Sequence, residues 1–357
     1  MSSEVEVQAN LYNVVTSIVR WKYEVGELLK KAVESAGGGS RKSTPQSSRS
    51  TFNISGYERS VQNYLIDVAN CSSGEYQDVW NEFANRVAEQ CGGISAGKLG
   101  EILSHPSQQD VGEIPPLILT PAENGILQLK LGTLMLQLPR NAVNRVVQKQ
   151  TKESMGQLGL LMLRYLPLNP SGGFFWSIEP KIYRWLDAEF GVLECYASPF
   201  NFNAREWCSL FEGDMYYGSR GNFAKVLGEL QIPRVLVVNP PYTERQIVKA
   251  VGEVRAYLAR VSGAEALFLL PSWHDMQVMK ELRESAGENY IEMKMGEFSL
   301  YNHTTGESFL PSRVKMVVAS LSSSQSPKID AVKLARKMLE VRNEITEREW
   351  EYGKSQD

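Results

Sequence analysis

Short apolar segments alternate with polar, helix-forming sequence in the second half of the chain, and this alternation restricts the possible folds. The clearest are GVLECYA (191–197), RVLVVNPPY (234–242) and ALFLLPSW (266–273). The stretch 243–261 predicts a helix, and RVKMVVASL (313–321) predicts a late antiparallel strand at the sheet edge. Because parallel strands need long crossover connections, this order is typical of an α/β fold with a doubly wound parallel sheet.

The upstream half is predicted to be mainly helical. Apolar residues recur at three- and four-residue steps, a Gly/Ser-rich stretch interrupts them, and ILQLKL and LMLQLP alternate around a Gly-Thr turn as in a hairpin. We therefore expect an N-terminal helix (1–35), a linker or loop (36–56), a helical region with a β-hairpin (57–154), an α/β domain (155–323) and a charged C-terminal helix (324–357).

The charge of the chain restricts how it could bind nucleic acid. A net charge of −3 excludes a protein-wide positive field, so phosphate contacts would need a local basic patch. On a helix, Arg145, Lys149 and Lys152 fall on one face, with no acid in the surrounding run. They are candidates for contacts with an RNA backbone, although such a run is also typical of a solvated helix face.

Cysteine usage and hydropathy exclude other classes of protein. Four cysteines without a CxxC pair, together with three histidines, argue against a metal site and favour reduced thiols. The start MSSEVEVQAN lacks the order of a signal peptide, and no apolar run has the roughly 20 residues that span a bilayer. We expect a soluble protein without a membrane partner, nuclear or cytoplasmic, whose N-terminal helices are candidates for binding a protein partner.

The tetrad Asn239-Pro240-Pro241-Tyr242 directly follows an apolar strand, where ligands bind in open α/β sheets. An exocyclic amine on adenine is a poor nucleophile, because its lone pair is delocalised into the ring. The Asn239 side-chain oxygen and the Pro240 carbonyl could accept its two N–H groups, the prolines fix the backbone, and Tyr242 offers a stacking face. The tetrad therefore predicts amine methylation by positioning and electrostatics, whereas a bare turn ending a strand is the structural alternative.

The string ECYASPFN ends the first strand of the alternating region. Turns that begin a nucleotide-binding sheet hold small residues close to the cofactor and an acid that binds its polar groups. Asp214, farther along, is a second acid that could bind ribose hydroxyls. The candidates for cofactor contact are Glu194, Ala197, Ser198, Pro199, Asn201 and Asp214.

Two further residues are candidates for substrate contact. Arg220 lies in a Gly-Ser-Arg-Gly turn that could present its guanidinium to a phosphate. Trp273 follows the third apolar segment and could stack on a base or a cap-like purinium ring. A solvated loop arginine and a packed tryptophan are the structural alternatives.

The strings ECYASPFN, YYGSRG, NPPY and FLLPSW, in this order, resemble the cap-specific adenosine N6-methyltransferase family, also called the phosphorylated-CTD-interacting factors. Members carry similar strings around an ECFASP element, an FGSRG element, an NPPF tetrad and a PxW segment. The likeness covers residues 155–321, and Tyr242 stands where the family has Phe.

The resemblance implies a Rossmann-like class I methyltransferase sheet with a helical region packed on it, and S-adenosyl-L-methionine as cofactor. It also implies methylation of N6 on the first transcribed adenosine of capped mRNA. Asn239, Pro240 and Tyr242 would orient the adenine, while Glu194 and residues 197–199 would line the cofactor pocket. We expect the chain to lack the family's WW module, because no suitably spaced tryptophans bracket an aromatic-rich, three-stranded segment.

Other functions are compatible with the tetrad. NPPY also serves enzymes that methylate DNA adenine or protein glutamine, since each substrate presents a planar amine. The glutamine enzymes carry a glycine-rich first motif, which ECYASPFN is not. A methyltransferase-like subunit that binds RNA without catalysis is a further alternative, against which the intact tetrad and the intact Glu194 element both argue.

Overall fold

The computed structural model describes residues 60–61, 63–64, 67, 76–90, 117–132, 134–148, 158–165, 175–303, 305–312, 314–324 and 328–354. The expected N-terminal helix (1–35) and linker (36–56) lie outside them. The chain separates into two compact units. The first comprises residues 1–120, 128–136 and 157–172, and the second comprises 121–127, 137–156 and 173–357.

The described elements of the upstream part are short. They are α1 (Tyr76–Gln90), β1 (Leu117–Pro121), β2 (Ile126–Leu131), β3 (Leu134–Pro139), α2 (Arg140–Gln148) and α3 (Leu158–Tyr165). The three strands form one sheet in chain order. Gly132, between β2 and β3, has a φ of 59°, which glycine adopts without a steric penalty.

The second unit contains most of the regular structure. Its further helices are α4 (Pro180–Phe190), α5 (Phe223–Glu229), α6 (Glu244–Arg260), α7 (Gln277–Ala286) and α8 (Ala331–Lys354). Its strands are β4 (Trp176–Ile178), β5 (Leu193–Ala197), β6 (Glu206–Ser209), β7 (Val235–Val238), β8 (Glu265–Pro271), β9 (Tyr290–Met293), β10 (Leu300–Asn302), β11 (Glu307–Phe309) and β12 (Met316–Ser322). A small sheet has the order β11-β10-β4.

The central sheet is mixed, with the order β6-β5-β7-β8-β12-β9. Strands β6, β5, β7 and β8 are parallel, and β12 runs antiparallel to both of its neighbours. The α/β class is therefore confirmed, and the predicted parallel arrangement is found in β6, β5, β7 and β8. The late strand is antiparallel as predicted but lies inside the sheet, because β9 occupies the edge beside it.

The sheet is covered on both faces, which explains the continuous apolar runs. Every residue of β7 and β8 is buried, as is typical of parallel strands between helices. Val251 of α6 packs with Leu236 on one face, and Leu186 of α4 and Leu334 of α8 pack with Val237 on the other. Among the described residues no helix is long and apolar enough to cross a membrane.

The strand order reverses beside β5. From β5 the chain moves outward to β6, and it then returns to place β7 on the other side of β5. In open α/β sheets such a reversal leaves a crevice outside the carboxyl ends of the two strands, and ligands bind there. The ends of β5 and β7 are therefore the expected position of a site.

Candidate active site

The two sharpest sequence motifs flank this reversal of strand order. ECYASPFN contains the end of β5, and Asn239 directly follows β7. The strand β8, parallel to both, ends at Pro271, two residues before Trp273. Because these strands are parallel, their carboxyl ends lie at one edge of the sheet, and the topology brings the motifs to that edge.

The tetrad is held between β7 and the start of α6. The Tyr242 phenol donates a hydrogen bond to Asn239 Oδ1 at 3.1 Å. The Thr243 N–H donates to the Pro241 carbonyl at 2.8 Å, and the Thr243 hydroxyl caps α6 by accepting the Gln246 N–H at 3.2 Å. Asn239 is partly exposed. Burial raises the pKa of Tyr242 well above its ordinary value, so its hydroxyl keeps its proton.

A compact polar turn follows β5. The Asn201 side-chain oxygen accepts the Ser198 N–H at 2.6 Å and the Ser198 hydroxyl at 2.9 Å. The Ser198 carbonyl in turn accepts the N–H groups of Asn201 and Phe202, at 3.1 and 3.0 Å. Ala197, Ser198 and Pro199 are buried. Asn201, predicted to contact a cofactor, therefore uses its side-chain oxygen to shape the turn.

Glu194 lies on β5 but serves the loop that precedes β6. Its Oε2 accepts the backbone N–H groups of Asn203 and Ala204, at 2.8 and 2.9 Å. The Tyr183 phenol also hydrogen-bonds to the carboxyl group. Burial raises the pKa of Glu194 to about 7, and the two backbone bonds oppose that rise. Glu194 was predicted to hold a polar group of the cofactor, and in this structure its Oε2 binds the backbone of this loop.

Arg145 binds two backbone carbonyls of the same loop, whereas Glu194 binds its N–H groups. Its guanidinium donates to the Phe200 carbonyl at 3.0 Å and to the Phe202 carbonyl at 3.2 Å. The guanidinium also lies 5.4 Å from the centre of the Phe202 ring, within range of a cation–π interaction. Burial lowers its pKa, and Tyr301 and Glu194 partly oppose this. This internal position differs from the phosphate-contacting role predicted for Arg145, and Lys149 and Lys152 lie outside the described residues.

A buried polar group beside this loop was not predicted. The Ser177 hydroxyl donates to the Ile178 carbonyl at 2.7 Å and lies 2.9 Å from His303 Nε2. Asn203 Nδ2 donates to the same hydroxyl oxygen at 3.4 Å. Burial lowers the pKa of His303 to about 3, so its ring is neutral. No local sequence pattern could reveal this contact, since Ser177 lies 126 positions from His303.

Asp214 and Arg220 belong to the segment between β6 and α5. Asp214 is fully buried in a 3₁₀ turn, where its carbonyl accepts the Ser219 N–H at 3.2 Å. The Arg220 side chain is about half exposed and pairs with Glu206 at 2.8 Å, and Arg234 pairs with the same carboxylate oxygen. The predicted acid is therefore inside the fold, while the predicted arginine reaches the surface beside the first residue of β6, at the opposite edge of the sheet from Asn239.

Trp273 is exposed, with 39% of its surface accessible. Its carbonyl accepts the Met276 N–H at 3.2 Å, which fixes the backbone before α7. The neighbouring His274 Nε2 lies 2.9 Å from the Ser272 hydroxyl and 3.2 Å from Glu292. The tryptophan is thus partly exposed to solvent, two residues beyond the carboxyl end of β8. Over the described part of the chain, no cluster of His, Cys, Asp and Glu could hold a metal ion.

The chain is similar to a known family model and to enzymes from two mammals. The sequence model of a family described as the phosphorylated CTD interacting factor 1 WW domain matches residues 134–301. An mRNA (2'-O-methyladenosine-N(6)-)-methyltransferase from Mus musculus is 33% identical over 107 residues, which cover 28% of this chain and 14% of the relative. The enzyme of the same name from Homo sapiens has the same identity and coverage. The chain therefore aligns with about a seventh of each relative's length.

These similarities support the predicted family and correct one expectation. The sequence led us to expect no WW module, but the matching family model is described as a WW domain, so that expectation is wrong. That expectation required two tryptophans around a short three-stranded sheet. The family model instead matches residues 134–301, which include strands of the central mixed sheet. By its matched residues the chain is similar to the phosphorylated CTD interacting factors and to mRNA adenosine methyltransferases.

Proposed function

We propose that this chain is an S-adenosylmethionine-dependent methyltransferase that acts on adenine N6 of RNA, at the first transcribed adenosine beside an mRNA cap. One observation carries the proposal: Asn239-Pro240-Pro241-Tyr242 follows β7 where the strand order reverses, beside the polar turn that ends β5. The names of the two relatives support adenosine N6 in mRNA as the target. The four parallel strands between layers of helices support a Rossmann-like class I sheet.

The residues at the end of β5 fit the cofactor. Ala197 and Ser198 have short side chains, which would let an adenosyl group approach the backbone closely, and Pro199 adds an apolar wall. When bound, S-adenosylmethionine supplies an electrophilic methyl group on a sulfonium sulfur. Glu194 and Asn201 would shape this turn through their internal hydrogen bonds, and we assign them no direct contact with the cofactor.

The tetrad offers two hydrogen-bond acceptors for the exocyclic amine of adenine. Asn239 Oδ1 and the Pro240 carbonyl would accept the two N–H groups of adenine N6 and hold the nitrogen towards the methyl carbon. Such fixed dipoles act where charge develops and need no reorganisation during transfer. Once methylated, the N6 nitrogen would carry a positive charge, which makes its N–H acidic. Asn239 Oδ1 and the Pro240 carbonyl would accept hydrogen bonds from this nitrogen until the proton passes to water, so no strong base is required.

Aromatic rings would hold the base and its neighbour. The Tyr242 ring would stack on the target adenine, and stacking of a base on an aromatic side chain stabilises binding by about 1–3 kcal/mol. Trp273, exposed at the same edge of the sheet, would stack on the adjacent purine or the cap. Arg220 reaches the surface beside Glu206, the first residue of β6, at the opposite edge of the sheet from the tetrad. There it would contact a phosphate of the RNA, in exchange for its ion pair with Glu206.

A substrate panel tests this function. The full chain would be incubated with methyl-labelled cofactor and, separately, with capped RNA beginning in A, uncapped RNA, single-stranded DNA and a glutamine peptide. We expect label on the capped RNA, located at N6 after digestion to nucleosides. Label only on DNA or only on peptide would contradict the RNA assignment, and label on none would contradict catalysis.

The description of the matching family supports a protein partner as well. We propose that residues 134–301 contribute to binding a phosphorylated CTD, and that the chain works in the nucleus. A phosphorylated CTD peptide and its unphosphorylated counterpart, compared by fluorescence anisotropy, test this. Equal affinity for the two peptides would contradict it.

A further inference from the structure

We propose that the hydroxyl of Tyr242 is a positioning group, which orients the Asn239 amide so that the site presents an acceptor and selects a substrate N–H. This inference rests on the proposed function, because it assigns a role within the same tetrad. It goes beyond stacking, which needs only the aromatic ring. It also gives a physical consequence to the one position where the tetrad differs from the NPPF string that this sequence resembles.

The observation is a hydrogen bond inside the tetrad. The Tyr242 hydroxyl donates to Asn239 Oδ1 at 3.1 Å across two intervening prolines. The prolines fix their own φ angles, and the N–H of Thr243 bonds back to the Pro241 carbonyl at 2.8 Å as α6 begins. The backbone between the two side chains is therefore rigid, and the hydroxyl meets the amide at little cost in ordering entropy.

The bond matters because an amide has two chemically different ends. A primary amide that turns by 180° exchanges an oxygen acceptor for an NH₂ donor of nearly the same shape. A phenol is a better donor than acceptor, and burial keeps that of Tyr242 protonated, so the oxygen end turns towards it. The oxygen has two lone pairs, and the Tyr242 hydroxyl donates a hydrogen bond to one of them. The other can accept a hydrogen bond from the substrate N–H.

Because the Asn239 amide cannot rotate, its oxygen determines which base binds. Adenine presents an amine at position 6 and donates to Asn239 Oδ1, whereas hypoxanthine presents a carbonyl that would face the lone pairs of the same oxygen. Without the phenol hydroxyl, the amide can rotate and offer its NH₂ group to that carbonyl. Removing this one oxygen atom would therefore weaken the preference for adenine over hypoxanthine.

Tyr242→Phe in the full chain is the test, since it keeps the ring and removes only the hydroxyl. We expect kcat for capped RNA to fall about three- to tenfold with KM nearly unchanged, as for loss of one neutral hydrogen bond. The ratio of Kd values for capped oligonucleotides with hypoxanthine and adenine should fall by a similar factor. The matched control is Tyr290→Phe, a partly exposed tyrosine on the edge strand β9, which should leave kcat and the ratio unchanged.

A double variant distinguishes a positioning role of the Tyr242 hydroxyl from a general structural effect. A carboxylate has two equivalent oxygens, so Asn239→Asp has no donor end to expose. Adding Tyr242→Phe to Asn239→Asp should leave the binding ratio unchanged, and a further fall would overturn the proposal. A parental kcat and binding ratio in Tyr242→Phe alone would also overturn it. The binding ratio needs no turnover, so a chain that binds adenine selectively but transfers no methyl group refutes the proposed function alone.

Discussion

Glu194 Oε2 accepts the backbone N–H of Ala204 at 2.9 Å, ten positions along the chain. The same oxygen accepts the N–H of Asn203. The carboxyl group thus joins β5, near its amino-terminal end, to the loop before β6. Since the group is fully buried, its protonation should affect the stability of the fold.

The first prediction concerns pH and Glu194→Gln. Burial raises the pKa of Glu194 from about 4.5 to about 7, so between these values the folded chain binds more protons than the unfolded chain. Its unfolding free energy therefore falls as pH rises through this window, by an amount on the order of 3 kcal/mol from this one group. Glutamine can accept the same N–H bonds but cannot ionise, so that part of the slope should vanish.

Urea unfolding at pH 5 and pH 7 gives the change in unfolding free energy with pH, for the parent and for Glu194→Gln. The difference between parent and Glu194→Gln isolates this carboxyl group from all others. Equal slopes in the two proteins would show that the carboxyl group does not titrate in this window.

The second prediction concerns Arg145→Ala. The change removes two bonds from a charged donor to the carbonyls of Phe200 and Phe202, so we expect a loss of about 2–3 kcal/mol of stability. Because the guanidinium is used internally, the dependence of log Kd for RNA on log salt should keep its slope. A slope smaller by about one would instead show a phosphate contact.

The third prediction concerns Arg220→Ala. An exposed ion pair contributes little, so stability should change by less than about 0.5 kcal/mol. RNA affinity should fall, and its salt slope should decrease by about one. Arg205→Ala is the matched control, since Arg205 is another exposed arginine, paired with Asp187 at 2.8 Å. Equal RNA affinity in the two variants would show that Arg220 contacts no RNA phosphate.

The fourth prediction concerns Trp273→Ala. The ring is exposed, so the fold should lose little stability, whereas capped RNA should bind about five- to 100-fold more weakly if the ring stacks on a purine. Trp273→Phe should restore part of the affinity. Met295→Ala, at another exposed apolar side chain, provides the comparison. Parental affinity in Trp273→Ala would show that its ring face binds no base.

Local patterns predicted the strands of the site, whereas distant contacts set the roles of its polar residues. The apolar runs before Ala197 and Asn239 located β5 and β7, because buried parallel strands are apolar throughout. The use of Glu194 by a loop nine and ten residues away follows from tertiary packing. Arg145 is 55 positions from Phe200, and no local periodicity reports such a contact.

The strand order of the central sheet was predicted only in part, because one of its strands was not recognised from the sequence. β12 was recognised as antiparallel, but β9 has the mixed sequence YIEM with one fully buried residue, so it gave no strand signal. A strand that is not recognised cannot be assigned an edge. The interior position of β12 therefore emerged only from the pairing of Ala319 with both Tyr290 and Phe268.

The central claim is that Asn239 holds the amine that accepts the methyl group. Its most direct test is the rate of label transfer to capped RNA beginning in A, for the parent, Asn239→Ala and the exposed control Asn343→Ala. We expect the parent and Asn343→Ala to form N6-methylated adenosine at equal rates. Asn239→Ala should keep its fold and cofactor affinity while its rate falls by about 100-fold or more. A parental rate in Asn239→Ala would contradict the account.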